Sequence, residues 1–537
     1  MIFGMENHGY PSHYDLHIKN FNSCELKFLI EYQYKYFSVF QNRRQLKYCR
    51  LCRSRIMNQA YFFSTLRGND NNDGRSANTP WRTLRKVQEI SFIPGTHILL
   101  ERGSVFENEY LHLAGISGTD SDPIVVDAYG DNQDLPIIHA NGHGLWYQDY
   151  GKPLDNPLHL SKGWVSSTIF LYDCAYIEVR NLSVTNQAVD TTVPYNDLHA
   201  LDRTGVAVVA QNKGTLQHIY LDHLVVQNVD GNVYNKHMNN GGIYFTVFHP
   251  KDEAATGIAR YHDVRVENCI VRNVSRWGIA LAYTVYWDRF TTKEIPEEIA
   301  KHYGATDVVI RGNFVKDPGG DAITTMYCYR PLIEHNLSDG AGRQINKRDY
   351  CQSDFGRVAA GIWPWKCKDA LFQYNEVCNT RYHNGENQDG QAFDADWGDG
   401  TIYQYNYSHD NEGGCFMICL EEAVNTVFRN NISRNDRRAI LMPATSPLAK
   451  VYNNTFIVKK GVPFIATNSK TVGWMELKGN TIVGSGDAQW QEDTVTYEGN
   501  LFCGYSSIPN PEQNVLIGTA SNFSAAGGNP YDHSKPL

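Results

Sequence analysis

Two aspartates separated by one residue, Asp394 and Asp396, stand out in the segment QAFDADW that begins at Gln391. The alternation of apolar and polar residues around them predicts a β-strand, on which residues i and i+2 face the same side. Paired carboxyl groups can protonate a leaving group and supply a base or a nucleophile, as in glycoside hydrolysis. Because like charges this close raise the pKa of one member, we expect a protonated acid beside an ionised partner.

Other residues near this strand in the predicted fold complete the candidate site. Glu412 follows Asp389 by 23 residues, about one repeat, and we predict that it is a third catalytic carboxylate. Flat aromatic faces bind sugar rings, and a lysine neutralises substrate carboxylates or acts as a base. The predicted substrate-binding residues are Trp363, Trp365, Lys366, Asp321, Asp389, His409 and Glu421. The alternative for the aspartate pair is a solvated strand edge or turn positions without chemistry.

An asparagine-centred repeat runs through most of the chain and must position these residues. Short apolar–polar strands flank each asparagine, and the copies follow at intervals of 20 to 45 residues. A side chain that tolerates left-handed backbone can turn the chain and hydrogen-bond to its copy in the next coil. This pattern predicts a parallel β-helix, because a β-propeller would need more regular repeats. The repeated asparagines are Asn181, Asn268, Asn313, Asn336, Asn375, Asn406, Asn431, Asn454, Asn480 and Asn500, with His223 in the second coil.

Each coil contains one strand that begins near a glycine or another small residue, and these strands can be aligned with one another. The alignment predicts an inward stack of Ile243, Ile279, Ile323, Ile362, Phe393, Phe416 and Ile440. The outward column beside it contains Tyr244, Ala280, Thr324, Trp363, Asp394, Met417 and Leu441. Two residues further on, the column contains Thr246, Ala282, Met326, Trp365, Asp396, Cys419 and Pro443. We therefore expect two tryptophans and two aspartates to be neighbours on one exposed face.

Three regions of the chain are predicted. Residues 1–58 have neither the plan of a signal peptide nor the repeat, and we treat them as an extension without an assigned role. Residues 59–505 form the β-helix, and residues 506–537 form a C-terminal tail or cap. Near the start of the β-helix, Thr79 and Pro80 predict the beginning of a short amphipathic helix that covers the open end. Its buried side chains are expected to be Trp81, Leu84, Val87 and Ile90.

The opening segment from Tyr61 to Ile90, the repeats such as VRNLSV, and DGQAFDADWG…YNYSHDNEGG resemble a known superfamily. It is the pectin-lyase-like superfamily of right-handed parallel β-helices, and the resemblance covers about residues 60–505. It implies an all-β, single-stranded right-handed parallel β-helix and a carbohydrate-active protein. Since that superfamily includes hydrolases, lyases, epimerases and viral tailspikes, the resemblance is broad for chemistry.

The leading hypothesis is a glycoside hydrolase that cleaves a plant or microbial polysaccharide or oligosaccharide and needs no cofactor. The first alternative is a Ca²⁺-dependent lyase acting on a uronic-acid polymer, in which carboxylates such as Asp389 and Glu412 hold the ion. Only Lys366 and Arg343 are candidate bases for it, and neither lies in a recognisable lyase motif. The second alternative is a glycan-binding protein without activity, such as an adhesin or tailspike. The sequence leaves open whether a hydrolase would retain or invert the anomeric configuration.

Composition excludes several other classes of protein. The net charge is −9, and no basic run with interleaved aromatic residues indicates nucleic-acid binding. No apolar run is long enough to cross a bilayer. The twelve cysteines form no disulfide framework, and the CxxC of Cys49 and Cys52 is a weak metal signal. A monomer is expected, secreted or periplasmic by its substrate class, although no signal peptide is visible.

Overall fold

The computed structural model describes residues 59–155, 159–188, 200–350, 355–419, 423–443, 447–467 and 473–518. These residues form a single-stranded right-handed parallel β-helix, and the predicted fold class is confirmed. The strands form three long sheets, and in each coil that has three strands one strand belongs to each sheet. The predicted extension, residues 1–58, lies outside the described residues.

The first sheet contains fifteen strands in the described part of the chain, and each pairs in parallel with its neighbours along the axis. A short extra strand, β21, lies beside β18. The strands are β1 (Gln59–Phe63), β2 (Thr96–Glu101), β5 (Ile124–Tyr129), β9 (Ile177–Arg180), β12 (Thr215–Asp222), β15 (Arg260–Glu267), β18 (Ala305–Arg311), β21 (Cys328–Tyr329), β22 (Leu332–Glu334), β25 (Leu371–Gln373), β28 (Ile402–Gln404), β31 (Val427–Arg429), β34 (Ala449–Tyr452), β36 (Met475–Lys478) and β38 (Val495–Glu498).

The second sheet contains fourteen parallel strands among the described residues. They are β3 (Val105–Glu107), β6 (Ile137–His139), β10 (Ser183–Asn186), β13 (Val225–Val229), β16 (Ile270–Val274), β19 (Phe314–Lys316), β23 (Leu337–Asp339), β26 (Glu376–Cys378), β29 (Tyr407–His409), β32 (Ile432–Arg434), β35 (Thr455–Ile457), β37 (Thr481–Gly486), β39 (Leu501–Tyr505) and β40 (Val515–Ile517). Since β40 pairs with β39, this sheet continues beyond residue 505, where the repeat was expected to end.

The third sheet contains eleven strands in the same described ranges and carries the predicted aspartate pair. Its first part holds a hairpin, because β7 pairs with β8 in the antiparallel direction. The strands are β4 (Leu111–Ala114), β7 (Leu145–Asp149), β8 (Lys162–Tyr172), β11 (Asp202–Ala210), β14 (Gly241–Val247), β17 (Trp277–Thr284), β20 (Ile323–Met326), β24 (Ile362–Trp365), β27 (Gln391–Asp396), β30 (Gly414–Cys419) and β33 (Leu441–Pro443).

Helices are few and short in the described residues. Two α-helices, α1 (Glu253–Thr256) and α2 (Glu297–Tyr303), and three 3₁₀ helices, Leu84–Glu89, Trp287–Arg289 and His383–Gly385, lie between strands. None of these helices has the length and apolar character needed to cross a membrane.

The predicted N-terminal helix is the 3₁₀ helix Leu84–Glu89, which begins later than expected. The Thr79 hydroxyl donates to Asp73 instead of capping a helix, and Trp81 forms a parallel bridge with Phe63. Leu84 and Val87 of this short helix are buried, as the spacing predicted.

The interior is a continuous column of apolar side chains, and the predicted inward stack is confirmed over most of its length. Backbone pairing places Ile279 beside Ile323 and Ile362 beside Phe393. The alignment fails at the last strand, because the amides of Cys415 and Phe416 both donate to the carbonyl of Ile440. Phe416 therefore pairs with Leu441 instead of Ile440. The register of the outward residues shifts by the same one position, so Met417 pairs with Met442, and Pro443 does not pair with Cys419.

Nine asparagines form a hydrogen-bonded ladder along one corner of the β-helix in the part described. The Nδ2 group of each donates to the Oδ1 atom of the next, as between Asn406 and Asn431 at 3.0 Å. It also donates to a carbonyl of the preceding coil, which for Asn406 is that of Phe372. The members are Asn313, Asn336, Asn375, Asn406, Asn431, Asn454, Asn480, Asn500 and Asn514.

Asn181, His223 and Asn268 do not belong to this ladder, which corrects the predicted alignment. They lie one position earlier, where the backbone φ is between 51° and 57°. The buried residues Leu182, Leu224 and Cys269 occupy the ladder position in those coils. Asparagine suits both positions for different reasons, since it tolerates left-handed backbone and also satisfies buried backbone groups.

We expect Asn454→Ala to destabilise the β-helix strongly. Asn454 is 1% exposed, and its amide donates to Phe428 and Asn480 while its Oδ1 accepts from the amides of Asn431. Buried groups left unsatisfied cost about 1–3 kcal/mol each, so a total loss of about 2–4 kcal/mol is expected. Urea unfolding followed by circular dichroism measures it.

Asn453→Gly is the matched control for this change. Asn453 is the exposed residue directly before the ladder, its φ is 56°, and glycines with φ near 64° occupy the same position in the next two coils. Glycine should therefore be tolerated there. Equal unfolding midpoints for the two variants would contradict a stabilising role of the ladder.

Candidate active site

The predicted carboxylates lie on the outer side of β27 in the third sheet. Asp396 is in register with Trp365 of the preceding coil and with Cys419 of the following coil, as the alignment predicted. One carboxylate oxygen from each of Asp394 and Asp396 and the Sγ atom of Cys419 lie within 4.8 Å of one another. The two carboxyl groups are therefore close enough to influence each other's protonation.

The outer face of the third sheet is covered, which corrects the prediction of an exposed face. Tyr244, Thr324 and Met417 in the predicted outward column are fully buried, and Asp394 is only 3% exposed. Insertions between coils provide the cover. The indole of Trp277, for example, donates to the carbonyl of Lys236 in the loop before β14. Partners this distant in sequence leave no trace in the local pattern of a strand.

Trp363 is not an open platform for a sugar ring. It is 8% exposed, and its Nε1 group donates to Oδ1 of Asp321 at 2.9 Å. Its ring packs near that of Trp277, with centroids 6.4 Å apart. The structure thus brings together two predicted substrate-binding residues, Trp363 and Asp321, but as a buried pair.

A buried arginine completes this pair. The Nη2 atom of Arg276 lies 3.2 Å from Oδ2 of Asp321, and the same nitrogen donates to the carbonyl of Val358. The Arg276 side chain is fully buried. Removing one member of a buried ion pair leaves an uncompensated charge, so Arg276 and Asp321 act as one structural unit beneath the site.

Asp389 lies beside this unit, at the turn before β27. Burial, together with the nearby charge of Asp321, raises the pKa of Asp389 to about 6, although Lys236 and Arg438 oppose the rise. Arg438 also donates to the backbone carbonyl of Asp389 at 3.0 Å, which fixes the turn. Asp389 is partly exposed, so it is in contact with solvent. With a pKa of about 6, its carboxyl group keeps its proton at a higher pH than an ordinary aspartate does.

Asp394 and Cys419 hold protons more firmly. Burial first, and then the charges of Asp396 and Asp389, raise the pKa of Asp394 well above its usual range. Its Oδ1 atom has no hydrogen-bond partner among the described residues. Burial and the neighbouring aspartates also raise the pKa of the Cys419 thiol, which hydrogen-bonds to Asp396.

Two lysines border the carboxylates. Burial, followed by the charge of Arg276, lowers the pKa of Lys236 to about 8, and Asp321, Asp389 and Asp396 act in the opposite direction. Lys366 was predicted to meet substrate. Its Nζ atom lies 4.2 Å from the ring centroid of Trp397.

Trp365 and Trp397 form a half-buried aromatic pair at this border. Their rings meet edge to face, with centroids 5.3 Å apart. The Nε1 group of Trp365 donates to the hydroxyl of Tyr327, while that of Trp397 has no partner in the described part of the chain. Trp365 therefore lies beside Asp396, as predicted, whereas Lys366 is buried against the tryptophan rings.

Glu412 is occupied by the backbone. Its Oε2 atom accepts from the amides of Tyr382 and His383 at 2.8 and 3.1 Å, and Arg381 lies 3.7 Å away. Burial raises the pKa of Glu412, but these amides and Arg381 outweigh it and lower the pKa overall. These contacts hold the loop that contains Asp389. They fit a role for Glu412 in positioning that loop.

His409 and Glu421 are the remaining predicted residues. His409 belongs to the second sheet, where its ring nitrogens lie beside Asp410 and Glu376 and not beside the aspartate pair. Glu421 lies outside the described residues.

Sequence reasoning missed Arg276, Lys236 and Trp397. The first two precede Asp389 by more than 100 residues, and no local pattern links a loop lysine or a buried arginine to a distant strand. Trp397 could have been found, since it directly follows Asp396, the last residue of the strand.

Comparison with known proteins agrees with this fold. No family model matches the chain. A curated lacto-N-biosidase from Bifidobacterium longum subsp. longum is 40% identical in an alignment of 501 positions that covers 85% of this chain. The chain spans about a third, 31%, of that relative's length.

Two crystal structures of the GH136 lacto-N-biosidase from Eubacterium ramulus superpose on the chain with a TM-score of 0.76. The native form is 46% identical and covers 79% of this chain and 67% of the solved one. The selenomethionine form is 43% identical and covers 86% and 72%. The fold and these relatives identify a protein of a glycoside hydrolase family with a parallel β-helix. The chain belongs to glycoside hydrolase family GH136.

Proposed function

We propose that this chain hydrolyses an oligosaccharide and releases a lacto-N-biose unit from it. The observation that carries the proposal is the group of three aspartates around β27, one of which has a pKa near 6. Both relatives named above are lacto-N-biosidases, and their identity of 40–46% to this chain supports the same substrate class. Loops over the third sheet favour a confined site for a short sugar over an open groove for a polymer.

Asp389 is the general acid in this proposal. A general acid must carry a proton at the working pH and must reach the oxygen of the leaving group. Asp389 meets the first need through its raised pKa and the second through its partial exposure. Once the bond has broken, the same carboxylate can accept a proton from water.

Asp396 is the nucleophile, or the base that activates water. It is the partly exposed member of the close pair, and Trp365 and Cys419 flank it on the neighbouring coils. Asp394 remains protonated beside it, because burial and the adjacent carboxylates raise its pKa. The protonated carboxyl group of Asp394 and the thiol of Cys419 can both donate hydrogen bonds to Asp396.

The surrounding residues position the substrate and tune the charges. Lys236 balances the charge of the aspartates, while the Arg276–Asp321 pair supports the turn of Asp389. Trp365 and Trp397 offer a half-buried aromatic border on which a sugar ring can stack, and the buried Lys366 packs against Trp397. We assign Glu412 to the backbone of the Asp389 loop instead of to the reaction.

We also propose membership of the pectin-lyase-like superfamily, export from the cell and a monomeric state. The three-sheet coil and the asparagine ladder support the first. The substrate class supports the second, because oligosaccharides of this kind are met outside the cell.

A substrate panel tests the proposal. Purified protein is incubated with the p-nitrophenyl glycoside of lacto-N-biose, with oligosaccharides ending in lacto-N-biose, and with uronic-acid polymers. Reducing ends and the ultraviolet absorbance of unsaturated products are read together. Release of free lacto-N-biose without new absorbance supports the proposal, and cleavage confined to uronic-acid polymers would reject it.

A chelator should leave the reaction unchanged. The proposed roles use only protons and carboxylates, so kcat after EDTA dialysis should stay within about two-fold of the untreated value. The calcium-dependent lyase alternative predicts a loss that added Ca²⁺ restores. Product release that stops with EDTA and returns with Ca²⁺ would require the aspartates to be ion ligands.

A further inference from the structure

A second group of reactive side chains lies on the outer side of the second sheet. Glu376 and Cys378 are two residues apart on β26, and His409 on β29 is in register with Cys378. One ligand atom from each of the three lies within 4.8 Å of the others. All three are buried or nearly so, and the group is on a different sheet from the aspartates.

The histidine is oriented as a metal ligand usually is. Its Nε2 atom lies 3.1 Å from Oε1 of Glu376, a distance typical of two ligands that share one ion. Its other nitrogen, Nδ1, lies 2.8 Å from the carboxylate of Asp410. A carboxylate on the second nitrogen fixes the tautomer and the ring orientation of metal-binding histidines.

A further carboxylate lies one coil earlier, beside the thiol. Asp339 pairs with Cys378 in the sheet, and its carboxylate hydrogen-bonds to the Cys378 thiol. Three carboxylates, those of Asp339, Glu376 and Asp410, surround the group, while Lys316 and Arg434 flank it along the column. The carboxylates outnumber these two cations, so the group can accept positive charge.

We propose that Glu376, Cys378 and His409 bind a divalent cation of the zinc type, with water in the fourth position. One sulfur, one nitrogen and one carboxylate oxygen from the protein suit zinc and disfavour calcium or magnesium, which take oxygen ligands. Binding converts the thiol to a thiolate and releases its proton to solvent. Because the ligands come from two successive coils, the ion stabilises the β-helix and takes no part in the reaction.

The competing explanation is an ion pair without metal. A protonated His409 between Glu376 and Asp410 would also balance the charge, and these carboxylates raise the pKa of His409 against the effect of burial. In that case Cys378 is only a buried thiol. The two explanations differ in whether Cys378 is needed for binding zinc.

Metal content separates them. Full-length protein is stripped with a chelator, loaded with zinc, dialysed and analysed for zinc per chain. Cys378→Ser is the test variant, and Cys503→Ser is the matched control, because Cys503 is a buried thiol on the same sheet. Other cysteines, such as Cys49 and Cys52, can also bind zinc, so the difference between variants is the quantity that counts.

We expect Cys378→Ser to hold one zinc per chain fewer than the wild type, and Cys503→Ser to match the wild type. Cobalt loading should give a thiolate-to-metal absorbance band that only Cys378→Ser loses. Zinc should raise the Tm of the wild type and of Cys503→Ser but not that of Cys378→Ser.

A second variant covers the case in which Cys378→Ser does not fold. His409→Gln removes the nitrogen ligand, and its folding is checked by circular dichroism. The same loss of one zinc per chain is expected. Equal zinc content and an equal rise in Tm in the wild type and the folded variants would overturn the proposal in favour of the ion pair.

Discussion

Asp396→Asn is expected to lower kcat on the order of 10⁴-fold or more, because it removes the group that attacks the sugar or activates water. Asp394→Asn should cost far less, under about 10²-fold, since asparagine can replace a protonated carboxyl group as a hydrogen-bond donor. Release of p-nitrophenol from the lacto-N-biose glycoside measures both. The contrast follows from the raised pKa of Asp394.

Asp369→Asn is the control for this pair of variants. Asp369 is a turn aspartate whose side chain is 47% exposed, and its φ of 52° is one that asparagine accepts. Its activity should equal that of the wild type. If Asp394→Asn proved as inactive as Asp396→Asn, the nucleophile would have to be reassigned to the buried member of the pair.

Asp389→Asn should remove acid catalysis and one limb of the pH profile. The pKa of Asp389 is about 6, so its proton is present below that pH and is lost above it. Wild-type kcat/KM should therefore fall as the pH rises through about 6, and this fall should vanish in the variant. On the natural oligosaccharide kcat should drop by about 10²–10⁴-fold, and by less on a p-nitrophenyl glycoside, whose leaving group needs little protonation.

Glu412→Gln distinguishes the two candidate acids. Its side chain holds the backbone amides of Tyr382 and His383, so the change should lower stability and raise KM while keeping the alkaline fall. An alkaline fall that survives in Asp389→Asn but disappears in Glu412→Gln would exchange their roles.

The fold could be predicted from sequence because each coil repeats the same apolar positions. Pairing such as Ile279 with Ile323 follows from alternation alone, since one face of every strand is buried. The alignment failed where two signals coincide. Asparagine marks both the left-handed residue, as at Asn268, and the ladder, as at Asn313, and only the backbone pairing separates them.

The site could be predicted only in part. The carboxylates of β27 and their neighbour Trp365 were found because they share one strand register. The burial of Trp363 was not, because long insertions carry residues such as Arg276 and Lys236 to the third sheet. The length of an insertion is visible in a sequence, but the surface it covers is not.

The asparagine ladder has a direction. Each bond between two of its side chains runs from the Nδ2 group of one asparagine to the Oδ1 atom of the next one towards the C-terminal end, as from Asn313 to Asn336 and from Asn500 to Asn514. The side-chain amides therefore add as parallel dipoles, and each bond polarises the next. The segment that carries Asp389 and Asp396 lies within this polarised row, between Asn375 and Asn406. Disruption of one rung should weaken its neighbours as well, so the coils around the candidate site should open together as one cooperative block instead of fraying separately.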